Sequence, residues 1–187
     1  MMKSILKSFK REVRSAKEYI ALINLKPDSY QRANIDIVKF LTVEEKTPGV
    51  YITLNKPHEV IEKGFKKEGV DTRLIIYIDS VSKVNGDSAK KIGNCLYIGN
   101  PERLSDMSVA ADQAVNALPG GDKFIILDSL NTLLLYNHER TVMRFAHYLA
   151  TKMREWKIKG IVIILKHSQG NAIADEIVQF CDFKIDA

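Results

Sequence analysis

An acidic residue directly after a run of apolar residues is the strongest chemical signal in this sequence. Residues 124–127 read Phe-Ile-Ile-Leu, and Asp128 and Ser129 follow them. A continuous apolar run of this length is typical of a strand that is buried on both faces of a parallel sheet. Ligands of open α/β sheets bind just beyond the carboxyl ends of such strands. Asp128 is therefore predicted to face a ligand-binding cleft.

The elements that position this acid are predicted to be alternating strands and helices. Apolar runs predict strands over residues 19–25, 50–54, 74–79, 95–98, 124–128, 161–165 and 183–185. Apolar residues at helical spacing predict helices over 4–18, from about 32 to 41, from 57 to 69, and over 104–118, 139–156 and 174–180. Polar loops are predicted over residues 26–31 and 82–94. This order predicts a three-layer α/β/α fold with a mainly parallel sheet of six or seven strands.

The length and composition place limits on the class of protein. A chain of 187 residues with 45% hydrophobic and 27% charged residues is predicted to be a single globular domain, with residues 1–18 as an N-terminal basic amphipathic helix. Its apolar runs are too short to cross a bilayer, and no signal peptide is recognised, so a cytoplasmic protein is expected. Cys95 and Cys181 are too few for a disulfide framework. The cysteines and histidines lack the spacing of metal ligands, so no metal site is predicted.

The positive charge of the chain is concentrated at its N-terminal end. Residues 1–40 hold nine basic and four acidic residues, which accounts for the whole net charge of +5. Lys7, Lys10, Arg11 and Arg14 form a basic face on the first predicted helix. A solvated helix face is the preferred interpretation, and a contact with nucleic acid or another polyanion is the alternative.

The ordered series of elements resembles the RecA-like ATPases and, among them, the KaiC-like branch. The segments that carry the resemblance are residues 47–54 with Pro57, residues 100–108, and residues 124–149. In the same order, these segments are similar to three parts of KaiC-like domains. The parts are the second strand with its following turn, the segment that leads into the next helix, and the acidic strand with the helix after it. The resemblance covers residues 19–187 and implies a RecA-like sheet.

The resemblance also implies a glycine-rich phosphate loop after the first strand, and that loop is altered. Residues 26–33 read Lys-Pro-Asp-Ser-Tyr-Gln-Arg-Ala at its place. Lys26 and Gln31 replace the glycines, Arg32 replaces the phosphate-binding lysine, and Ala33 replaces the hydroxyl that ligates magnesium. Asn55 and Lys56 stand where paired glutamates would orient the attacking water. The sequence therefore predicts no catalytic residue and no cofactor.

The remaining cleft is predicted to be a residual nucleotide or anion site. It is expected to be lined by Lys26, Ser29, Arg32, Asn55, Asp128 and Gln169. Asp128 is either a magnesium ligand or, as preferred here, a retained acid that caps its turn or pairs with Arg32. The cleft is expected to accept an anion or a peptide carboxylate.

Three functions are compatible with the sequence. The preferred one is a non-catalytic interaction or regulatory module that forms a homo-oligomer or binds a RecA-like partner. The first alternative is a divergent ATP-binding protein that uses magnesium and an unconventional loop. The second is a basic accessory protein that binds nucleic acid.

Overall fold

A mainly parallel sheet of eight strands forms the centre of the fold. A computed structural model describes residues 5–14, 16–82, 90–166 and 172–186. Its strands are β1 (Tyr19–Leu25), β2 (Gly49–Thr53), β3 (Ile75–Asp79), β4 (Lys90–Ile92), β5 (Cys95–Tyr97), β6 (Phe124–Asp128), β7 (Lys159–Leu165) and β8 (Phe183–Asp186). They lie in the order β4-β5-β3-β2-β6-β7-β1-β8, and β4 alone runs antiparallel to its neighbour. The first strand therefore lies between the last two.

Helices cover both faces of the sheet, as the alternation of elements predicts. They are α1 (Ile5–Val13), α2 (Pro27–Lys39), α3 (His58–Lys67), α4 (Leu104–Ala117), α5 (Leu130–Tyr136), α6 (Glu139–Glu155) and α7 (Ala172–Ile177). One core packs α1, α2 and α3 against the sheet, and the other packs α4 to α7 against its opposite face. The predicted three-layer α/β/α fold is confirmed. None of the described helices is both long and apolar enough to cross a membrane.

Two predictions about the sheet and its loops are wrong. The sheet has eight strands in the described residues rather than six or seven, because β4 forms within the predicted loop 82–94. Its three residues pair with β5 across a turn at Gly93, whose φ of 58° suits glycine. Residues 83–89 of that loop lie outside the described residues.

The predicted loop 26–31 is also wrong, and this difference changes the candidate site. Helix α2 begins at Pro27, directly after strand β1, and Lys26 is its N-cap residue. Proline favours the first helical position because its φ is already helical and its missing N–H is not needed there. Asp28 in the first turn adds a favourable interaction with the helix dipole. The helix thus takes up most of the residues that the family resemblance assigns to a phosphate loop.

Helix α1 packs on the same folded unit as the rest of the described chain. Phe9 is fully buried, and its ring lies edge-on against Tyr19 and Phe40 with centroid distances of 6.1 and 6.0 Å. Val13 is the last buried residue of the helix, which ends there rather than at residue 18. The aromatic contacts fix α1 beside the end of α2, so its outer face carries the basic residues.

Candidate functional site

Two buried carboxylates lie at the carboxyl ends of neighbouring strands. Thr53, the last residue of β2, pairs with Asp79 of β3 on one side and with Asp128 of β6 on the other. Both acidic side chains are fully buried. Adjacent strands lie about 4.8 Å apart, so the two acids are separated by two strand spacings, roughly 10 Å. They form two distinct polar sites at the same edge of the sheet.

The carboxylate of Asp128 is surrounded by hydrogen-bond donors. The hydroxyl of Tyr30 lies 2.6 Å from both of its oxygens, and the hydroxyl of Tyr51 donates to Oδ2. The amide nitrogen of Asn34 donates to the same oxygen at 3.2 Å. Asn55 donates to Oδ1 at 3.4 Å. Buried acids are stable only when their acceptor positions are satisfied, and here protein groups satisfy them.

Three structural elements hold these donors in place. Tyr30 and Asn34 lie one turn apart on α2, so both side chains reach the same acid. Tyr51 projects from β2, and its ring packs edge-on against Phe65 with a centroid distance of 5.3 Å. Asn55 accepts a hydrogen bond from Thr132 of α5 and donates to Ser129 at 3.3 Å. The donors to Asp128 therefore come from α2, from β2 and from the turn after β2, so this one carboxylate links the three elements.

Burial is the main influence on the pKa values of the side chains in this cluster. It raises the pKa of Asp128 above its ordinary value, although the hydrogen bonds from Tyr30, Tyr51 and Asn34 act in the opposite direction. Burial also raises the pKa of Tyr51 and of Tyr30, and the nearby charge of Asp128 raises both further. The two phenols therefore stay protonated and act as donors at neutral pH.

The raised pKa of Asp128 predicts a pH-dependent stability. Its pKa in the folded chain exceeds the ordinary 3.8, so the folded state retains a proton that the unfolded state has lost. The stability that this group contributes is complete below pH 3.8 and declines as the pH rises through the folded pKa. The stability of wild type relative to Asp128→Asn should thus fall as the pH rises from 3.8. Urea denaturation of both proteins across this range measures it, and a difference independent of pH would contradict it.

The structure brings together only part of the predicted cleft. Asn55 and Asp128 are in contact, whereas Ser29 donates to the backbone oxygen of Lys26 at the exposed start of α2. Gln169 lies outside the described residues.

The predicted pairing of Arg32 with Asp128 is wrong. The guanidinium of Arg32 points to solvent and pairs with Asp36 at 2.9 Å and with Glu68 at 3.3 Å. The physical reason is the early start of α2, since a helix sends Arg32 and Tyr30 in different directions. Tyr30 contacts Asp128 instead.

Sequence reasoning missed the hydroxyl and amide groups that surround Asp128. The sequence places Tyr30 in a predicted loop and Tyr51 in a predicted strand, and it does not predict that either lines the cleft. A usable signal was the i, i+4 spacing of Tyr30 and Asn34 after a proline that can start a helix. Nothing local in the sequence indicated Tyr51 or Thr132, because their role depends on the packing of separate elements.

The second carboxylate, Asp79, caps a helix and a turn. It accepts hydrogen bonds from the backbone nitrogens of His58 at 2.8 Å, Val81 at 2.8 Å and Ser82 at 2.9 Å. Burial acts to raise the pKa of Asp79, but these bonds and that of the Ser82 hydroxyl outweigh it, so the pKa is lowered. Asp79 therefore stays ionised and fixes the start of α3.

The basic face of α1 is already partly neutralised. Lys10 pairs with Glu44 at 2.6 Å and lies over the ring of Phe40, 4.8 Å from its centroid. Arg11 pairs with Glu12 at 2.9 Å. Lys7 and Arg14 are exposed and line a groove of about 690 Å³ beside these residues. Two of the four predicted cations thus have acidic partners within the chain, which weakens the case for a polyanion site.

Comparison with solved structures identifies the fold class. The described residues have a RecA-like fold of the kind seen in a KaiC-like protein. It is similar to the KaiC-like protein PH0186 from the hyperthermophilic archaeon Pyrococcus horikoshii OT3, with a TM-score of 0.65, 16% identity, and coverage of 90% of this chain and 72% of that one. It is also similar to the uncharacterised protein PH0321 from Pyrococcus horikoshii, crystallised with an unknown peptide. That match has a TM-score of 0.67, 12% identity, and coverage of 96% of this chain and 82% of that one.

The sequence itself gives no closer relationship. No protein-family model matches it, and no curated protein matches it significantly. At identities of 12% and 16% the structural likeness establishes the fold and nothing about activity.

Proposed function

We propose that this chain is a non-catalytic RecA-like domain that works through protein interactions. The observation that carries the proposal is the contact between Tyr30 and Asp128. The tyrosine hydroxyl lies 2.6 Å from both carboxylate oxygens, on the side where a RecA-like ATPase has its metal and phosphates. A magnesium ion bound to this acid would have to displace that hydroxyl.

The neighbouring residues support the same proposal. The phosphate loop of an ATPase needs glycines and free backbone amides, whereas α2 begins at Pro27 immediately after β1. Ala33 is buried and has no hydroxyl to offer a metal. Asn55 is engaged with Thr132 and Ser129 and cannot act as a general base. These residues do not fit ATP and magnesium.

An exposed apolar surface beside the strand ends is our candidate for the interaction site. Leu135 is 81% exposed and Tyr136 is 51% exposed at the end of α5. Tyr136 also lines a groove of about 370 Å³ together with Leu54, Val81 and Pro101. The peptide bound to PH0321 favours an extended peptide segment of a partner protein as the occupant.

Calorimetry with ATP and magnesium on the purified chain tests the loss of nucleotide binding. We expect no heat of binding up to about millimolar nucleotide, which corresponds to less than about 4 kcal/mol of binding free energy. Saturable binding that requires magnesium would overturn the proposal and favour the divergent ATP-binding alternative.

A peptide array probed with the labelled chain tests the interaction site. We expect selection of apolar peptides by the wild type and loss of that selection in Leu135→Asp. Val60→Asp is the matched control, because Val60 is a 54% exposed apolar residue of α3 on the opposite face of the sheet. Equal binding by both variants would exclude the Leu135 surface.

A further inference from the structure

A second cluster, independent of the Asp128 site, lies at the end of β3. One ligand atom each from His58, Asp79 and Cys95 lies within 4.8 Å of the others, and all three residues are buried. Nδ1 of His58 is 3.4 Å from Oδ2 of Asp79. The three residues come from the start of α3, the end of β3 and the start of β5. A thiol, an imidazole and a carboxylate are thus assembled by the fold from distant parts of the sequence.

This set of donors has the chemistry of a transition-metal site. Thiolate and imidazole ligands select zinc and related divalent ions, whereas magnesium and calcium prefer oxygen ligands alone. Zinc with three protein ligands keeps a fourth position for water or another group. The hydroxyl of Tyr97 lies 3.2 Å from Nδ1 of His58, so a metal bound to this nitrogen would replace that contact.

The surroundings of Asp79 resemble the support that ligating carboxylates require. Three backbone nitrogens and the hydroxyl of Ser82 hold the carboxylate in one orientation. Such outer contacts fix the direction of a ligand before the metal arrives. Oδ2 already accepts from the nitrogen of His58 and from Ser82, both at 2.8 Å. A metal on this oxygen would therefore replace the bond from the Ser82 hydroxyl.

We propose that His58, Asp79 and Cys95 form a binding site for one divalent transition-metal ion of the zinc class. The imidazole binds through Nδ1, the carboxylate through Oδ2 and the cysteine through Sγ. Binding forms a metal–sulfur bond and releases the thiol proton to solvent, so no oxidant or reductant is needed. The site joins α3, β3 and β5 on the half of the sheet that carries β4. A bound ion would stabilise that half of the sheet.

Titration of the tag-free, reduced and chelator-treated chain with Co²⁺ tests the site. We expect one equivalent to produce a thiolate-to-cobalt absorption band in the near ultraviolet together with visible bands of a tetrahedral ion. Zinc should abolish these bands by competition. Cys181→Ser should retain them, since Cys181 lies elsewhere, and Cys95→Ser should lose the thiolate band and weaken binding by at least about 10-fold, the smallest loss typical of an outer-shell partner.

A second measurement guards against a Cys95→Ser variant that does not fold. X-ray absorption of the zinc-loaded Cys181→Ser protein should find one sulfur at about 2.3 Å from the metal. His58→Gln should also weaken cobalt binding while its circular dichroism matches that of the wild type. No thiolate band in the wild type, or zinc with only oxygen and nitrogen neighbours in Cys181→Ser, would mean that the cluster is a hydrogen-bonded cap and would overturn the proposal.

Discussion

Replacing Tyr51 with phenylalanine is expected to lower the free energy of unfolding by about 2–3 kcal/mol at neutral pH. The substitution preserves the ring that packs on Phe65 but removes the hydroxyl that donates to the buried Asp128. It also removes the acceptor of one Asn34 hydrogen bond. Tyr30→Phe should cost less, about 1–2 kcal/mol, since Tyr30 is less deeply buried. Denaturation in urea measures both changes.

Matched variants separate the hydrogen bond from a general effect of losing a hydroxyl. Tyr148→Phe removes a hydroxyl from a tyrosine that is 42% exposed, and it should change stability by less than about 0.5 kcal/mol. In an Asp128→Leu background, Tyr51→Phe should cost much less than in wild type, because the buried acceptor is gone. Equal costs in the two backgrounds would show that Asp128 is not the partner that matters.

Gly49→Ala is expected to destabilise the fold by about 3 kcal/mol, near the upper end for overpacking. A Cβ atom on Gly49 would overlap the ring of Phe124, which pairs with it across β2 and β6. Phe124 is fully buried, so its ring has no free direction in which to move. The midpoint of urea denaturation should fall while the slope of the transition stays the same.

Two other glycines provide controls for this substitution. Gly160→Ala would meet the side chain of Met153, which is flexible and can adapt, so a cost of about 1 kcal/mol is expected. Gly64 lies within α3 with nothing near its missing Cβ, and Gly64→Ala should stabilise the chain by about 0.5–1 kcal/mol. Equal effects of all three substitutions would contradict the packing argument.

The sequence was sufficient to predict most of the architecture. Segments such as Phe124–Asp128 and Tyr19–Leu25 are buried on both faces of the sheet, which is why they read as short, nearly continuous apolar runs typical of parallel strands. The apolar stripe of α6 predicted its burial equally well. Strand β4 was missed because three residues between polar segments give no periodic signal. Its existence depends on pairing with β5 rather than on its own composition.

The candidate site was less predictable than the fold. The strand pattern predicts that Asp128 lies at the end of a strand and near Asn55. It does not predict the other hydrogen-bond partners of Asp128. The polar residues 26–31 favour a loop, and the family resemblance assigns a phosphate loop to residues 26–33, although Pro27 and Asp28 are favourable residues for a helix start. The cluster of His58, Asp79 and Cys95 could not be seen from spacing, since three separate elements contribute one residue each. Contacts of this kind become visible only after the sheet order is known.

The position of β1 between β7 and β8 has a consequence for synthesis of the chain on the ribosome. Ile20 of β1 and Asp182 just before β8, joined by a hydrogen bond, are 162 residues apart in sequence. Strand β1, whose residues are apolar except for Asn24, is therefore synthesised well before both of its partner strands. Unpaired apolar strands are exposed to aggregation during such delays. Helix α1, which directly precedes β1 in the sequence and buries Phe9 against Tyr19, is placed to shield this strand while its partners are still being made.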